Sequence, residues 1–175
     1  MFLIEPCCTQ KHWPAFRKKL GTDGTAFFHG YGDLALGDLL PVILPRYPEA
    51  EMTLVCPSLP DRATEVLMRW LCKTWAKADG KGNIDAISSL TIITDLREQK
   101  SPIASHWLKE NPFPIRLLPY NVSQNDTALI FPDLAIYGNI NLAHNSHFTA
   151  MATKDARIIN DLRQTYTNIL QGRKS

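Results

Sequence analysis

Three short apolar runs between Thr127 and Met151 constrain the fold of this chain more than any other feature of its sequence. They cover residues 127–131, 134–137 and 148–151, and Pro132 and Asp133 separate the first run from the second. Short runs that are rich in Ile, Phe, Tyr and Thr and bounded by turn residues are typical of β-strands. A helical pattern over residues 155–170 follows directly. This part of the chain therefore predicts three strands and then a helix.

A polar segment lies between the second and third runs. It contains Gly138, Asn139, Asn141, Asn145 and His147, which fall near the ends of adjacent predicted strands. We therefore expect a ligand site in this segment.

The rest of the chain alternates between strand and helix patterns. Strands are predicted at residues 25–30, 52–56, 90–94 and 115–118, and helices at residues 11–20, 34–44 and 101–110. The clearest helix begins at Pro60-Asp61 and carries apolar residues at helical spacing as far as Trp75. Strands that alternate with helices favour an α/β fold with a largely parallel sheet, flanked by helices on both faces.

The length and composition fit one globular domain over residues 1–175. Hydrophobic residues make up 45% of the chain and charged residues 21%, which argues against disorder. A domain of this size has a proper core, in which we expect Trp70, Leu71, Leu162 and Tyr166 to be buried. The net charge of +2 is too small to require a nucleic-acid partner and does not exclude one.

The cysteines and the N-terminus predict a cytoplasmic location. The four cysteines, Cys7, Cys8, Cys56 and Cys72, have neither zinc-site spacing nor the pattern of a disulfide framework. Cys56 and Cys72 are expected to be buried thiols, which fits a reducing compartment. The N-terminal sequence lacks the basic region of a signal peptide, and no apolar run reaches the roughly 18 residues needed to cross a membrane.

The first strand is followed by a glycine-containing turn. Gly30, Gly32 and Gly37 surround this turn, and backbone there can approach a phosphate at a helix N-terminus. The spacing is not GxGxxG, and the second strand ends without the acidic residue of a dinucleotide site. A tight turn is the simpler interpretation, and a nucleotide-binding α/β protein remains an alternative. No cofactor is predicted.

Histidines provide the candidates for catalysis. None of the five has the spacing of a metal site, so no metal is predicted. His29 lies at a predicted strand end and His147 just before another, and strand ends at one edge of a parallel sheet can converge. We therefore consider His29 and His147 as a candidate catalytic pair, beside the alternative that both are structural.

The C-terminal part resembles a phospholipase D-like domain. The resemblance rests on Gly138-Asn139-Ile140-Asn141-Leu142, on Asn145-Ser146-His147, and on the strand and long helix that follow. In that family a strand carries HxKxxxxD, and a GSxN segment, an acidic residue, a last strand and a helix come after it. The alternation from residue 25 to residue 118 also fits one half-unit of that fold.

The departures from the family pattern fall on the residues that perform its chemistry. With Asp133 as the family's aspartate, the nucleophilic histidine falls on Asp126 and the phosphate-binding lysine on Ala128. Asn139 replaces the serine of GSxN, Asn141 matches its asparagine, and His147 replaces the acidic residue. Phosphodiester cleavage by this route needs the imidazole and the cation.

The resemblance thus implies a phospholipase D-like domain that is not catalytic. It would serve as a binding or assembly module in which Asn139, Asn141 and Asn145 contact a ligand, with weak affinity for phosphate or nucleic acid. Enzymes of this family pair two half-units, so a homodimer is expected, with its interface beside residues 138–147. The alternative is a phosphodiesterase or nuclease with a rebuilt site that uses His29 and His147.

Overall fold

The computed structural model describes residues 2–3, 24–31, 40–41, 43–47, 51–77, 90–110, 115–120, 126–140 and 147–171. Residues 2–3, 28–31, 72–77, 147–148 and 169–171 are described by their backbone alone.

Eight strands and three α-helices are found in the described part of the chain. The strands are β1 (Phe2–Leu3), β2 (Thr25–Tyr31), β3 (Met52–Cys56), β4 (Leu90–Thr94), β5 (Ile115–Pro119), β6 (Thr127–Ile130), β7 (Ala135–Asn139) and β8 (His147–Thr153). The helices are α1 (Asp61–Lys77), α2 (Pro102–Glu110) and α3 (Ala156–Gln171). Short 3-10 turns occupy Leu44–Arg46 and Leu96–Glu98.

The strands form one mixed sheet in the order β1-β2-β8-β7-β6-β3-β4-β5. Pairings β1–β2, β3–β4 and β4–β5 are parallel, and the four pairings between β2 and β3 in this order are antiparallel. The prediction of a mixed α/β fold is confirmed, whereas the prediction of a largely parallel sheet is not. Only β6 and β8 run against the other strands, and each of them makes two antiparallel pairings.

The connection between β6 and β7 explains this difference. Four residues separate these strands, and the Phe131 N–H donates a 2.7 Å hydrogen bond to the Leu134 carbonyl. A parallel crossover needs a dozen or more residues, so a connection this short produces a hairpin. Phe131 and Leu134 were predicted in the strands but lie in this turn, where both are buried.

Each helix begins at a residue that suits a helix N-terminus. In α2 the Ala104 N–H donates to Ser101 Oγ at 2.9 Å, as the predicted cap requires, and Pro102 occupies the first position. In α3 the Arg157 N–H donates to Asp155 Oδ1 at 2.9 Å. In α1, Asp61 lies in the first turn, where its charge complements the helix dipole.

Helices cover both faces of the sheet. On one face α1 and α2 bury Leu67, Trp70, Leu71 and Trp107 against β3 and β4. On the other face Ile159 of α3 packs against Val55, Ile93, Ala128 and Ala135. The burial predicted for Trp70 and Leu71 is confirmed, but Leu162 and Tyr166 are only half-buried because α3 lies at the margin of its cluster.

Some predictions concern parts of the chain outside the described residues. The helix at 11–20, Cys7, Cys8 and most of the helix at 34–44 belong to this group, although Leu40, Pro41 and Ile43 are helical. Cys56 is buried as predicted, and the side chain of Cys72 is not described. No helix in the described ranges is long and apolar enough to span a membrane.

Candidate functional site

The ends of several strands meet at one edge of the sheet. β2 and β7 end there, β6 and β8 begin there, and β3, β4 and β5 point their carboxyl ends the same way. In open α/β sheets ligands bind outside the carboxyl ends of parallel strands, and β2, β3, β4, β5 and β7 all end at this edge. We call the part of this edge formed by β6, β7, β8 and β2 the open strand end.

The strand register places three candidate residues beside one another at the open strand end. Asn139 of β7 pairs with Thr149 of β8, and Thr149 pairs with His29 of β2. His147 pairs with Tyr31, two residues beyond His29 along β2. Paired residues and residues two apart along a strand share a face of a sheet. Positions 29, 139 and 147 therefore lie on one face, and diagonal neighbours such as 29 and 147 are roughly 7–8 Å apart.

The sequence predicts that His29 and His147 converge at the strand ends of a parallel sheet. The structure brings the two positions together through an antiparallel pairing instead. Asn141 and Asn145 lie outside the described residues, so their part in the site stays a prediction.

Gly138 determines how closely β7 and β8 approach at this point. Its φ is +146°, and a Cβ at this position would lie 2.2 Å from the Thr149 carbonyl oxygen. Any other residue would collide with the backbone of β8. Glycine is therefore required here, and it sets the position of Asn139 next to it.

Asn139 has an acceptor atom with unused hydrogen-bonding capacity. Its side chain is partly exposed, yet its Oδ1 is buried and has no hydrogen-bond partner in the described part of the structure. The backbone around it is fixed, since the Ile140 N–H donates to the Gly138 carbonyl at 3.0 Å and the Thr127 hydroxyl to the Ile140 carbonyl at 3.3 Å. A buried acceptor without a partner costs about 1–3 kcal/mol.

The residues that match the family's catalytic positions have different environments. Asp126 is exposed and directly precedes β6, whose first residue, Thr127, pairs with Gly138. Ala128 has 0% exposure and packs in the cluster below α3. Asp133 is exposed in the β6–β7 turn, at the opposite end of the hairpin. A lysine at position 128 would have to enter a packed apolar cluster.

Tyr166 of α3 lies in the same region, near Asp126 and Tyr137. Burial raises the pKa of the Tyr166 hydroxyl, and the nearby Asp126 and Tyr137 raise it further. The hydroxyl therefore stays protonated at neutral pH and provides a hydrogen-bond donor rather than a charge.

Three large side chains lie on the same face, two residues away along their strands from positions 29, 149 and 139. Phe27 of β2 pairs with Met151 of β8, and Met151 pairs with Tyr137 of β7. Phe27 is 61% exposed and Tyr137 is 36% exposed. We call Phe27, Met151 and Tyr137 the aromatic row. Sequence reasoning missed it because the three residues are far apart in the chain and become neighbours only through the pairing.

The polar residues at the neighbouring ends of β3 and β4 are linked to one another. Gln99 Nε2 donates to Thr94 Oγ1 at 2.8 Å and to the Asp95 carbonyl at 3.1 Å, while its Oε1 accepts from the Leu59 N–H at 2.9 Å. Cys56 lies beside Thr94, and burial raises the pKa of its thiol to about 12. A thiol this far from ionisation is not a nucleophile.

No group of three or more His, Cys, Asp and Glu side chains suited to a metal ion occurs among the described residues.

Comparison with known proteins gives similarity at the level of fold only. No protein-family model matches the sequence, and no curated protein matches it at a significant level. Among solved structures, NucT from Helicobacter pylori has a TM-score of 0.56 and 13% identity, over 84% of this chain and 96% of NucT. Polyphosphate kinase from Porphyromonas gingivalis has a TM-score of 0.60 and 14% identity, over 95% of this chain and 29% of the kinase.

A third similar structure is TrmBL2, an archaeal chromatin protein, with a TM-score of 0.50 and 10% identity. The match covers 93% of this chain and 58% of TrmBL2, so this chain corresponds to only part of TrmBL2, as it does for the kinase. NucT and the kinase therefore share the α/β fold of this chain over most of its length.

Proposed function

We propose that this chain is a phospholipase D-like domain that binds a phosphate-containing ligand or nucleic acid without cleaving it. The observation that carries the proposal is the environment of Ala128, which is fully buried below α3 where the family has a phosphate-binding lysine. Asp126 occupies the position of the family's nucleophile, and its carboxylate repels phosphate. Without an imidazole nucleophile and a cation, the charge that develops during cleavage has no partner.

The binding part of the proposal is supported by the fold and by the proteins that share it. One similar structure is a polyphosphate kinase, and another, the chromatin protein TrmBL2, shows a novel mode of DNA binding. Binding in or beside the open strand end would give the partly exposed Asn139 side chain a function. The domain would then act as a binding or assembly module.

Two measurements on the purified chain test this proposal. Hydrolysis of bis-p-nitrophenyl phosphate should equal that of buffer, whereas short oligonucleotides should bind weakly and lose affinity as salt rises. Asn141→Ala should weaken binding, with exposed Lys100→Ala as the control that leaves it unchanged. Binding that does not respond to Asn141→Ala would move the ligand to another surface, first of all to residues 11–19, which carry Lys11, Arg17, Lys18 and Lys19.

A second candidate function is favoured by the register of β2 and β8. Positions 29 and 147 lie on one face of these paired strands, which is an arrangement that a rebuilt phosphodiesterase site with two histidines would need. Diester hydrolysis that is abolished by His29→Ala or by His147→Ala would favour this function over the first.

We also propose that the chain forms a homodimer with its interface beside residues 138–147. The exposed Phe27 and Tyr137 near this segment support a protein contact, since soluble proteins rarely leave large apolar patches uncovered. Light scattering should give twice the mass of the chain, and Leu142→Arg should produce a monomer. A monomer in the unmodified protein would contradict this. The cytoplasmic location stays a prediction from the sequence.

A further inference from the structure

We draw no further inference here: the strongest candidate, the apolar groove between α1 and α2 that is lined by Met68, Ile103, His106 and Trp107, carries none, because the Trp107 Nε1 donor beside it is buried from solvent and nothing in the described part of the structure shows what covers the groove.

Discussion

Two neighbouring strand ends at the same edge of the sheet differ in how their polar groups are satisfied. At the ends of β3 and β4, Gln99 links Thr94, Asp95 and Leu59 through hydrogen bonds of 2.8 to 3.1 Å. At the open strand end, Asn139 has a buried oxygen without a partner in the described part of the structure, and Phe27 is 61% exposed.

The difference indicates which strand end holds the fold together and which is available to a ligand. A closed polar network contributes stability and has no unused donor or acceptor for a further partner. At the open strand end a buried acceptor without a partner carries a cost, and the Asn139 side chain is partly exposed. Substitutions at the two strand ends should therefore act on different properties, stability at the first and affinity at the second.

The largest expected effect comes from a steric clash between β7 and β8 at the open strand end. Gly138→Ala places a methyl group 2.2 Å from the Thr149 carbonyl oxygen at a φ of +146°. We expect a loss of about 3 kcal/mol or more in the free energy of unfolding. Urea denaturation measures it. Gly24→Ala is the matched control, because Gly24 also has a positive φ but nothing within 4 Å, and it should cost only about 1 kcal/mol. Equal losses in both variants would contradict the close approach of β7 and β8.

The next largest effect is expected at the ends of β3 and β4, where Gln99 links the polar groups. Gln99→Leu removes the donor to Thr94 Oγ1 and the acceptor of the Leu59 N–H. Because these groups are partly buried, we expect a loss of about 2–3 kcal/mol in urea denaturation, with oligonucleotide affinity unchanged. The neighbouring exposed Lys100→Ala should change stability by less than about 0.5 kcal/mol. A Gln99→Leu variant as stable as the unmodified chain would show that the network is not a source of stability.

Asn139→Ala should show the opposite behaviour. The variant loses no hydrogen bond through Oδ1 and removes a buried acceptor without a partner, so the free energy of unfolding should stay unchanged or rise by up to about 1–3 kcal/mol. Affinity for an oligonucleotide should fall at the same time. A large loss of stability in this variant would mean that Asn139 is a structural residue like Gln99, and the contrast between the two strand ends would disappear.

The smallest effect is a pH dependence from a carboxylate that is paired within the chain. Hydrogen bonds from the Arg157 side chain and backbone lower the pKa of the partly exposed Asp155 carboxyl. A carboxyl whose pKa is lower in the folded state stabilises the fold at pH values above its ordinary pKa of 3.8. This contribution is lost as the pH falls through the pKa of the folded state. Thermal unfolding from neutral pH to below pH 3.8 should show the loss.

Asp155→Asn is the control for this measurement. Asparagine caps a helix about as well as aspartate but has no charge to titrate, so this part of the pH dependence should vanish. An unchanged pH profile in the variant would assign the acid sensitivity to other carboxylates.

Much of the fold was predictable because its elements are encoded locally. The bounds predicted for β3 and β4 match the structure, and Ser101 caps α2 as expected. The sheet pairing was predicted less well, since the alternation of strands and helices suggests parallel neighbours. The four-residue β6–β7 connection, which enforces a hairpin, was visible in the sequence and outweighs that alternation.

The candidate site was predictable only in part. Asn139 and the positions of His29 and His147 were identified from the sequence, and the register places them on one face. Their adjacency arises from long-range pairing of β2 with β8, which no local pattern contains. The same reason explains why Phe27 and Tyr137, which are 110 residues apart in number, were not recognised as a pair.

The most direct test of the central claim is a single incubation of the chain with a labelled short single-stranded oligonucleotide, in which anisotropy and the length of the oligonucleotide are followed together. We predict salt-sensitive binding and an oligonucleotide that stays intact for as long as it does in buffer. Cleavage that is lost in His29→Ala or in His147→Ala would contradict the claim that this domain binds without catalysis.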